Sequence, residues 1–185
     1  MPRIPTRDEA MALLAAHVNT PYTIRHSLAT EAVTRALASR LGQDQDLWGI
    51  AGLLHDLDLD EVGADMKRHA RRTVEILAPL DCPAQMLQAI LAHNGDELGL
   101  PCASLLDFAV TAGESVTGLV FAMARVLPSG LIADVKASSI RKRLKEPRFA
   151  AGVSRERVGQ FAGLGLSEDE FLSIAVEAMA KAAHL

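Results

Sequence analysis

Aromatic residues make up 4% of the 185-residue chain while 49% of it is hydrophobic. With Ala and Leu supplying so much of the apolar content, that shortage favours packed helices over a sheet sandwich. It also disfavours single-stranded nucleic acid as a partner, because such binding uses aromatic side chains as stacking platforms. Cysteine is scarcer still: Cys82 and Cys102 form no CxxC pair, which argues against a disulfide framework or a thiolate zinc site. No run approaches the roughly 18 consecutive apolar residues of a membrane span. The opening MPRIPTRDEA has no hydrophobic signal core, so no membrane association and a cytoplasmic location are expected. Positive charge is not in excess, since 19 Lys and Arg face 23 Asp and Glu for a net charge of −4, and no nucleic-acid partner is expected. There is no GxxxxGK loop, no recognisable base-binding motif, no internal repeat and no low-complexity stretch. The length fits a single domain, residues 1–185, with a core of about 22–127 and a C-terminal helical extension over 131–185.

What is present is organised around AGLLHDLDLD, Ala51–Asp60, where an apolar helical run ends in His55-Asp56 and continues into Asp58 and Asp60. Leu47, Ile50, Ala51 and Leu54 recur at helical spacing, which puts His55 on the inward face and Asp56 about 100° around the helix. A buried carboxylate needs a cation or a proton nearby.

Before this segment, Thr6 and Glu9 form a capping box for a first helix, and Asn19-Thr20-Pro21 breaks it. Tyr22–Leu41 reads as a second helix stopped by Gly42, with Leu28, Ala32, Ala36, Leu37 and Leu41 inward and His26 in its first turns. Asp44 or Asp46 caps the helix that delivers His55. After a polar loop, Asp65–Leu77 resumes helical spacing, with His69, Thr73, Ile76 and Leu80 on one face. Lys67, Arg68, Arg71 and Arg72 surround His69 as either a solvated face or a phosphate-binding rim. Cys82-Pro83 starts a helix through His93, with Met86, Ala89, Ile90 and His93 on one side. Ser104 caps a long apolar helix, about Leu105–Leu127, in which Glu114 is an ionisable group among apolar neighbours. Three further helices follow; Ser167 and Glu170 form a capping box for the last, whose Ala- and Leu-rich face offers a surface for a homo-oligomer. His184 falls at the end of the chain.

His26, His55, Asp56, His69, His93 and Glu114 thus come from five expected helices. Imidazoles with carboxylates and no thiolates suit zinc, iron, manganese or nickel better than calcium. The order His26…His55-Asp56…Glu114 resembles the H…HD…D pattern of the HD superfamily of metal-dependent phosphohydrolases. RHSLATEAVTRALA, AGLLHDLD, GESVTGLVFAMARVLPS and KASSIRKRLKEPRFAAGVSR resemble small bacterial HD proteins of the HDIG type over Tyr22 to the C-terminus.

The resemblance implies an all-α helical bundle, the HD-domain fold, with a first metal held by His26, His55, Asp56 and Glu114. It further implies that Asp56 bridges to a second metal completed by His69 and His93, as in the dinuclear HD-GYP phosphodiesterases. One or two divalent transition metals (Mn, Fe, Ni or Zn) would then be the cofactors. Glu114 stands where the family has Asp, Asn94 where dinuclear relatives often have a second His, and Leu57-Asp58 where the name-giving motif has Gly. The expected chemistry is hydrolysis of a phosphate monoester or diester of a small, nucleotide-like substrate. Lys67 or Arg72 would stabilise phosphoryl charge, and Asp58, one turn after His55, would protonate the leaving oxygen. An HD-type di-iron oxygenase and a non-catalytic metal- or nucleotide-binding module share the same ligand set.

Overall fold

The computed structural model describes residues 2–182, which are helical without any strand, so the all-α reading holds. His184 lies outside the described residues. Helix α1 (Arg7–His17) carries the Thr6/Glu9 capping box. Helix α2 (Pro21–Leu41) has proline at its start, where no amide is needed, and ends at Gly42 in the left-handed region at φ 65°. Helix α3 (Gln45–Leu54) is capped by the Asp44 carboxylate, which accepts from the amides of Asp46 and Leu47. Short helices α4 (Leu59–Val62) and α5 (Arg71–Leu77) lead through a 3₁₀ turn, Ala78–Leu80, into α6 (Ala84–His93) and one-turn α7 (Gly95–Leu98). Helix α8 (Leu105–Val126) opens with a Ser104/Asp107 capping box. A second 3₁₀ turn at Ile132–Asp134, α9 (Ala137–Leu144), α10 (Arg155–Gly159), a third 3₁₀ turn at Gln160–Leu164 and α11 (Glu168–Lys181) complete the described chain.

The architecture rests on α2 and α8, which pack against each other; α3 lies along α2, α6 lies along α8, and α11 closes over α2. Every residue of α3 from Leu47 to Leu54 is buried, so its side chains fill the centre of the bundle. Each fully buried Leu or Ile there contributes about 1.5–3 kcal/mol relative to exposure. The α2–α3 approach is set by Gly52: a Cβ there would stand 2.5 Å from Thr34 Oγ1 and 2.9 Å from the Thr30 carbonyl oxygen. The threonines tolerate burial because Thr34 Oγ1 donates to Thr30 O at 2.8 Å and Thr30 Oγ1 to His26 O at 2.9 Å.

Several elements differ from the sequence expectation. The inward face of α2 is Ala29, Thr30, Val33, Thr34 and Leu37 rather than a stripe through Leu28, Ala32, Ala36 and Leu41, which are half-buried. Small residues and self-satisfied hydroxyls face α3 because the two backbones are so close. His69 does not begin a helix: it lies in a turn, and Ala70 at φ 67° reverses the chain before α5. Glu170 does not complete a capping box; Ser167 accepts from its amide, but its carboxylate turns to Arg40 Nε at 2.6 Å. Helix α8 is long and apolar enough to cross a membrane by length and composition, yet 72% of its most apolar window is buried against the rest of the chain, as befits a core helix.

Candidate metal centre

His26 projects from the first turns of α2, His55 caps the end of α3, Asp56 follows in the next turn, and His69 comes from the turn before α5. His93 is the last residue of α6, and Glu114 lies midway along α8. The bundle brings these six expected residues together. Asp56 Oδ2 lies 3.5 Å from His26 Nε2 and 3.3 Å from His55 Nε2. Its other oxygen, Oδ1, lies 3.3 Å from His69 Nε2 and 3.4 Å from His93 Nε2. Glu114 Oε2 joins the first pair at 3.8 Å from His26 Nε2. One carboxylate therefore stands between two pairs of imidazoles, with Glu114 on the His26 side.

The opposite edge of each ring fixes its tautomer. His55 Nδ1 donates to Gly52 O at 2.7 Å, and His93 Nδ1 donates to Ile90 O. His69 Nδ1 donates to Asp58 Oδ1 at 2.8 Å. Thr117 Oγ1 spends its proton on Glu114 O at 2.7 Å, so at 2.9 Å it accepts from His26 Nδ1. With every Nδ1 committed as a donor, each neutral ring turns an Nε2 lone pair toward the centre. His26 and His55 then face each other at 3.1 Å, and His69 and His93 at 3.0 Å. Two lone pairs at such distances repel unless a cation or a proton lies between them. The donor set, imidazole nitrogen with carboxylate oxygen, is able to hold a divalent metal, and the groups close enough to share one ion are His26, His55 and Glu114, and His55, Asp56 and His93.

Electrostatics set the protonation of the metal-free cluster. Burial opposes ionisation of Asp56, but the charge and hydrogen bond of His55, with those of His69 and His93, hold its carboxyl well below the usual range. Burial lowers His26 and His93 to about 4, which keeps both rings neutral. Burial also opposes protonation of His69, yet its bonds to Asp56 and Asp58 raise it to about 9. Glu114 is pushed up to about 7 by burial, against the pull of His55.

The expected catalytic residues are placed differently. Asp58 is fully buried, Oδ1 accepts from His69 Nδ1, and Oδ2 accepts from the Thr73 amide at 3.1 Å. Both oxygens are engaged within the protein, an arrangement suited to orienting His69. Arg72 donates to Glu61 Oε1 at 2.8 Å and to Glu75 Oε2 at 3.1 Å, and Lys67 is exposed. Neither borders the hollow of about 220 Å³ that opens at His26, Asp56 and Glu114. The cation that does border it is Arg157 of α10, with Nη1 3.8 Å from Glu114 Oε1 and Nε donating to Asp96 Oδ2 at 3.0 Å. Sequence reasoning missed Arg157 because it is one of many cations in a basic segment, and its distance from the centre is closed only by packing of α10 on α8. A larger hollow of about 390 Å³ on the other flank of Arg157 reaches only His93 among the six clustered residues. Asn94, in place of a second histidine, is a strap: Nδ2 donates to Met66 O at 2.7 Å and to His69 O at 3.2 Å, fixing the turn that carries His69.

An all-helical bundle closing on a carboxylate flanked by imidazole pairs defines a protein with a His/carboxylate cluster able to hold metal. The family model described as HD domain matches residues 23–126, more than half of the chain, and the chain belongs to the HD-domain family. Members of that family are mostly metal-dependent hydrolases, and the His/Asp cluster here is able to hold metal. Among curated proteins, the chain is similar to Ribonuclease Y of Latilactobacillus sakei subsp. sakei (strain 23K), with 32% identity over 108 residues. That alignment covers 55% of this chain but 19% of the relative, so the chain spans about a fifth of its length. No solved structure matches significantly.

Proposed function

We propose that the protein is a metal-dependent phosphohydrolase that uses two divalent transition metals (Mn, Fe, Ni or Zn) sharing Asp56 to cleave a small phosphate ester. The observation that carries this reading is the pair of Nε2–Nε2 approaches, 3.1 and 3.0 Å, on the two oxygens of one carboxylate. His26, His55 and Glu114 would hold one metal, His69 and His93 the other. Such a centre supplies Lewis-acid charge and activates water at neutral pH.

The chain's own residues do the rest. Asp58 and Thr117 hold His69 and His26 in the ligating tautomer. Arg157, steadied by Asp96, presents a guanidinium at the mouth where nonbridging phosphoryl oxygens gather charge. The hollow of about 220 Å³ supports a small ester over a folded polymer. The similarity to a ribonuclease supports phosphodiester as well as monoester bonds as targets.

Elemental analysis of the purified protein beside Asp56→Ala, followed by a phosphoester screen, tests this. The expected result is close to two equivalents of Mn, Ni, Zn or Fe, lost in the variant, with hydrolysis that follows metal content. Two irons with oxygen consumption and no hydrolysis would overturn the reaction class. No metal in either protein after reconstitution would overturn the reading altogether.

A further inference from the structure

Beyond the metal hollow lies a second one, of about 190 Å³, lined by Tyr22, Arg25, Phe121 and Arg125. The two share Tyr22 as a common wall. Tyr22 is 50% exposed for a large hydrophobic residue. On one side its ring stacks on His26 with centroids 6.2 Å apart and 9° between planes. On the other it tilts against Phe121 at 6.2 Å. The fields that meet at its phenol come from both hollows: burial pushes the group up, and Arg125, Glu114, Asp56 and Arg25 then act on it. Arg25 lies over the Phe121 ring at 5.2 Å, and among the described residues neither Arg25 nor Arg125 is ion-paired. Elsewhere on this surface Arg3, Arg7, Arg35, Arg40, Arg72 and Arg141 are paired with carboxylates. Two guanidiniums with no carboxylate partner, beside two aromatic rings, suit a planar body that ends in an anion. Either hollow alone is smaller than the roughly 300 Å³ at which small-molecule sites begin, and a ligand reaching past the half-exposed Tyr22 into both would have that room.

We propose that the Tyr22–Arg25–Phe121–Arg125 hollow is a substrate subsite, and that the substrate is a phosphate ester of a planar alcohol bearing a second anionic group. The ester phosphate lies at the metal centre, the planar body lies against Tyr22, and the second anion, carboxylate or phosphate, meets Arg25 and Arg125. The phosphohydrolase reading supplies which end is cleaved; the subsite itself depends only on binding.

Calorimetric titration of metal-free and manganese-loaded protein with phenyl phosphate and with 4-carboxyphenyl phosphate tests the proposal. The probes differ by the second anion alone. Wild type binds 4-carboxyphenyl phosphate at least about tenfold more tightly than phenyl phosphate. Arg25→Ala and Arg125→Ala each remove most of that preference, weakening 4-carboxyphenyl phosphate several-fold more than phenyl phosphate. Both side chains are exposed, and unchanged thermal unfolding of the variants verifies that folding is intact. Equal affinity for the two probes, no binding of either, or variants that weaken both alike would overturn the subsite. Tight, arginine-dependent binding without hydrolysis of any phosphoester would keep the subsite and remove the phosphohydrolase reading. Hydrolysis with no preference for the second anion would do the reverse.

Discussion

Replacing Asp58 by Asn separates the two roles open to this residue, because Asn is nearly isosteric but carries one acceptor oxygen instead of two. In the native protein both oxygens accept: Oδ1 from His69 Nδ1 at 2.8 Å, Oδ2 from the Thr73 amide at 3.1 Å. An amide can answer one of these donors and must turn its own NH₂ toward the other. A buried donor left facing a donor costs about 1–3 kcal/mol, so the metal-free variant unfolds more easily by that amount. Turning the amide oxygen to Thr73 would leave His69 free to lose its Nδ1 proton and rotate. Partners of this kind are worth about 10–100-fold in metal affinity. That loss falls on the His69/His93 side, while the His26/His55/Glu114 side, held by Gly52 and Thr117, keeps its affinity. The assay is a two-step metal titration by calorimetry on wild type and Asp58→Asn, with chemical denaturation of both metal-free proteins. If Asp58 were instead the leaving-group acid, both affinities would be unchanged, and hydrolysis would fall only for esters of poorly acidic alcohols. That pattern would refute the positioning role.

Metal affinity should rise with pH between about 6 and 9, since His69, raised to about 9, and Glu114, raised to about 7, must lose protons to become ligands. Calorimetry in buffers of different ionisation heat reads the released protons, and a pH-independent affinity over that range would contradict the assigned ligands. The metal-free protein responds with the opposite sign. A folded pKa of about 9 for His69 gives stability that is full below the ordinary value of 6.5 and lost as pH rises through about 9. His26 and His93, lowered to about 4, give stability that is present above 6.5 and lost as pH falls through about 4. Thermal melts of the stripped protein across this range should show both limbs. Gly52→Ala pushes a methyl into Thr34 Oγ1 and the Thr30 carbonyl, destabilises the fold by about 1–3 kcal/mol and spreads His26 from His55. Denaturation and metal titration of that variant would find both effects, and full affinity with native stability would show that the α2–α3 approach is not what sets the first ligand pair.

The fold was legible wherever the signal is local. Gly42, Asp44, the Thr6/Glu9 box and Ser104 act where their identities place them, because capping is decided within a few residues. The buried side of α6 was equally readable, since Met86, Ala89, Ile90 and His93 are all covered. Periodicity placed Leu37 correctly but missed the rest of the inward face of α2, because Thr30 and Thr34 interrupt it and a hydrophobic pattern passes over threonine. It failed at His69 because the left-handed Ala70 has no sequence signature, whereas a glycine there would have announced the turn. Clustering of the six ligand candidates rested on resemblance to a known pattern, which spacing alone could not supply. Thr117 and Arg157 carried no local mark, and only the contact of α8 with α2 and α10 shows what they face.

The three aspartates of AGLLHDLDLD show how ten residues build a centre drawn from the whole bundle. Asp56 lies between the imidazole pairs. Asp58, two residues on, reaches the opposite side and fixes His69. Asp60 turns back: its carboxylate accepts from the amides of Asn19 and Thr20 at 2.7 and 2.8 Å, holding the link immediately before the helix that carries His26. Alternation along an irregular turn thus sends one side chain to the metal position, one to a ligand on the downstream segment and one to the base of the upstream helix. In the metal-free fold the proton that His69 keeps up to about pH 9 stands among the facing nitrogens on its side, and a metal must displace it. A cation that binds only the folded chain at about 100 times its Kd returns about 2.7 kcal/mol. The geometry that gathers these nitrogens on one carboxylate is the same geometry that makes metal uptake a contribution to folding. Chelation should accordingly lower the melting temperature of the wild type and leave that of Asp56→Ala unmoved.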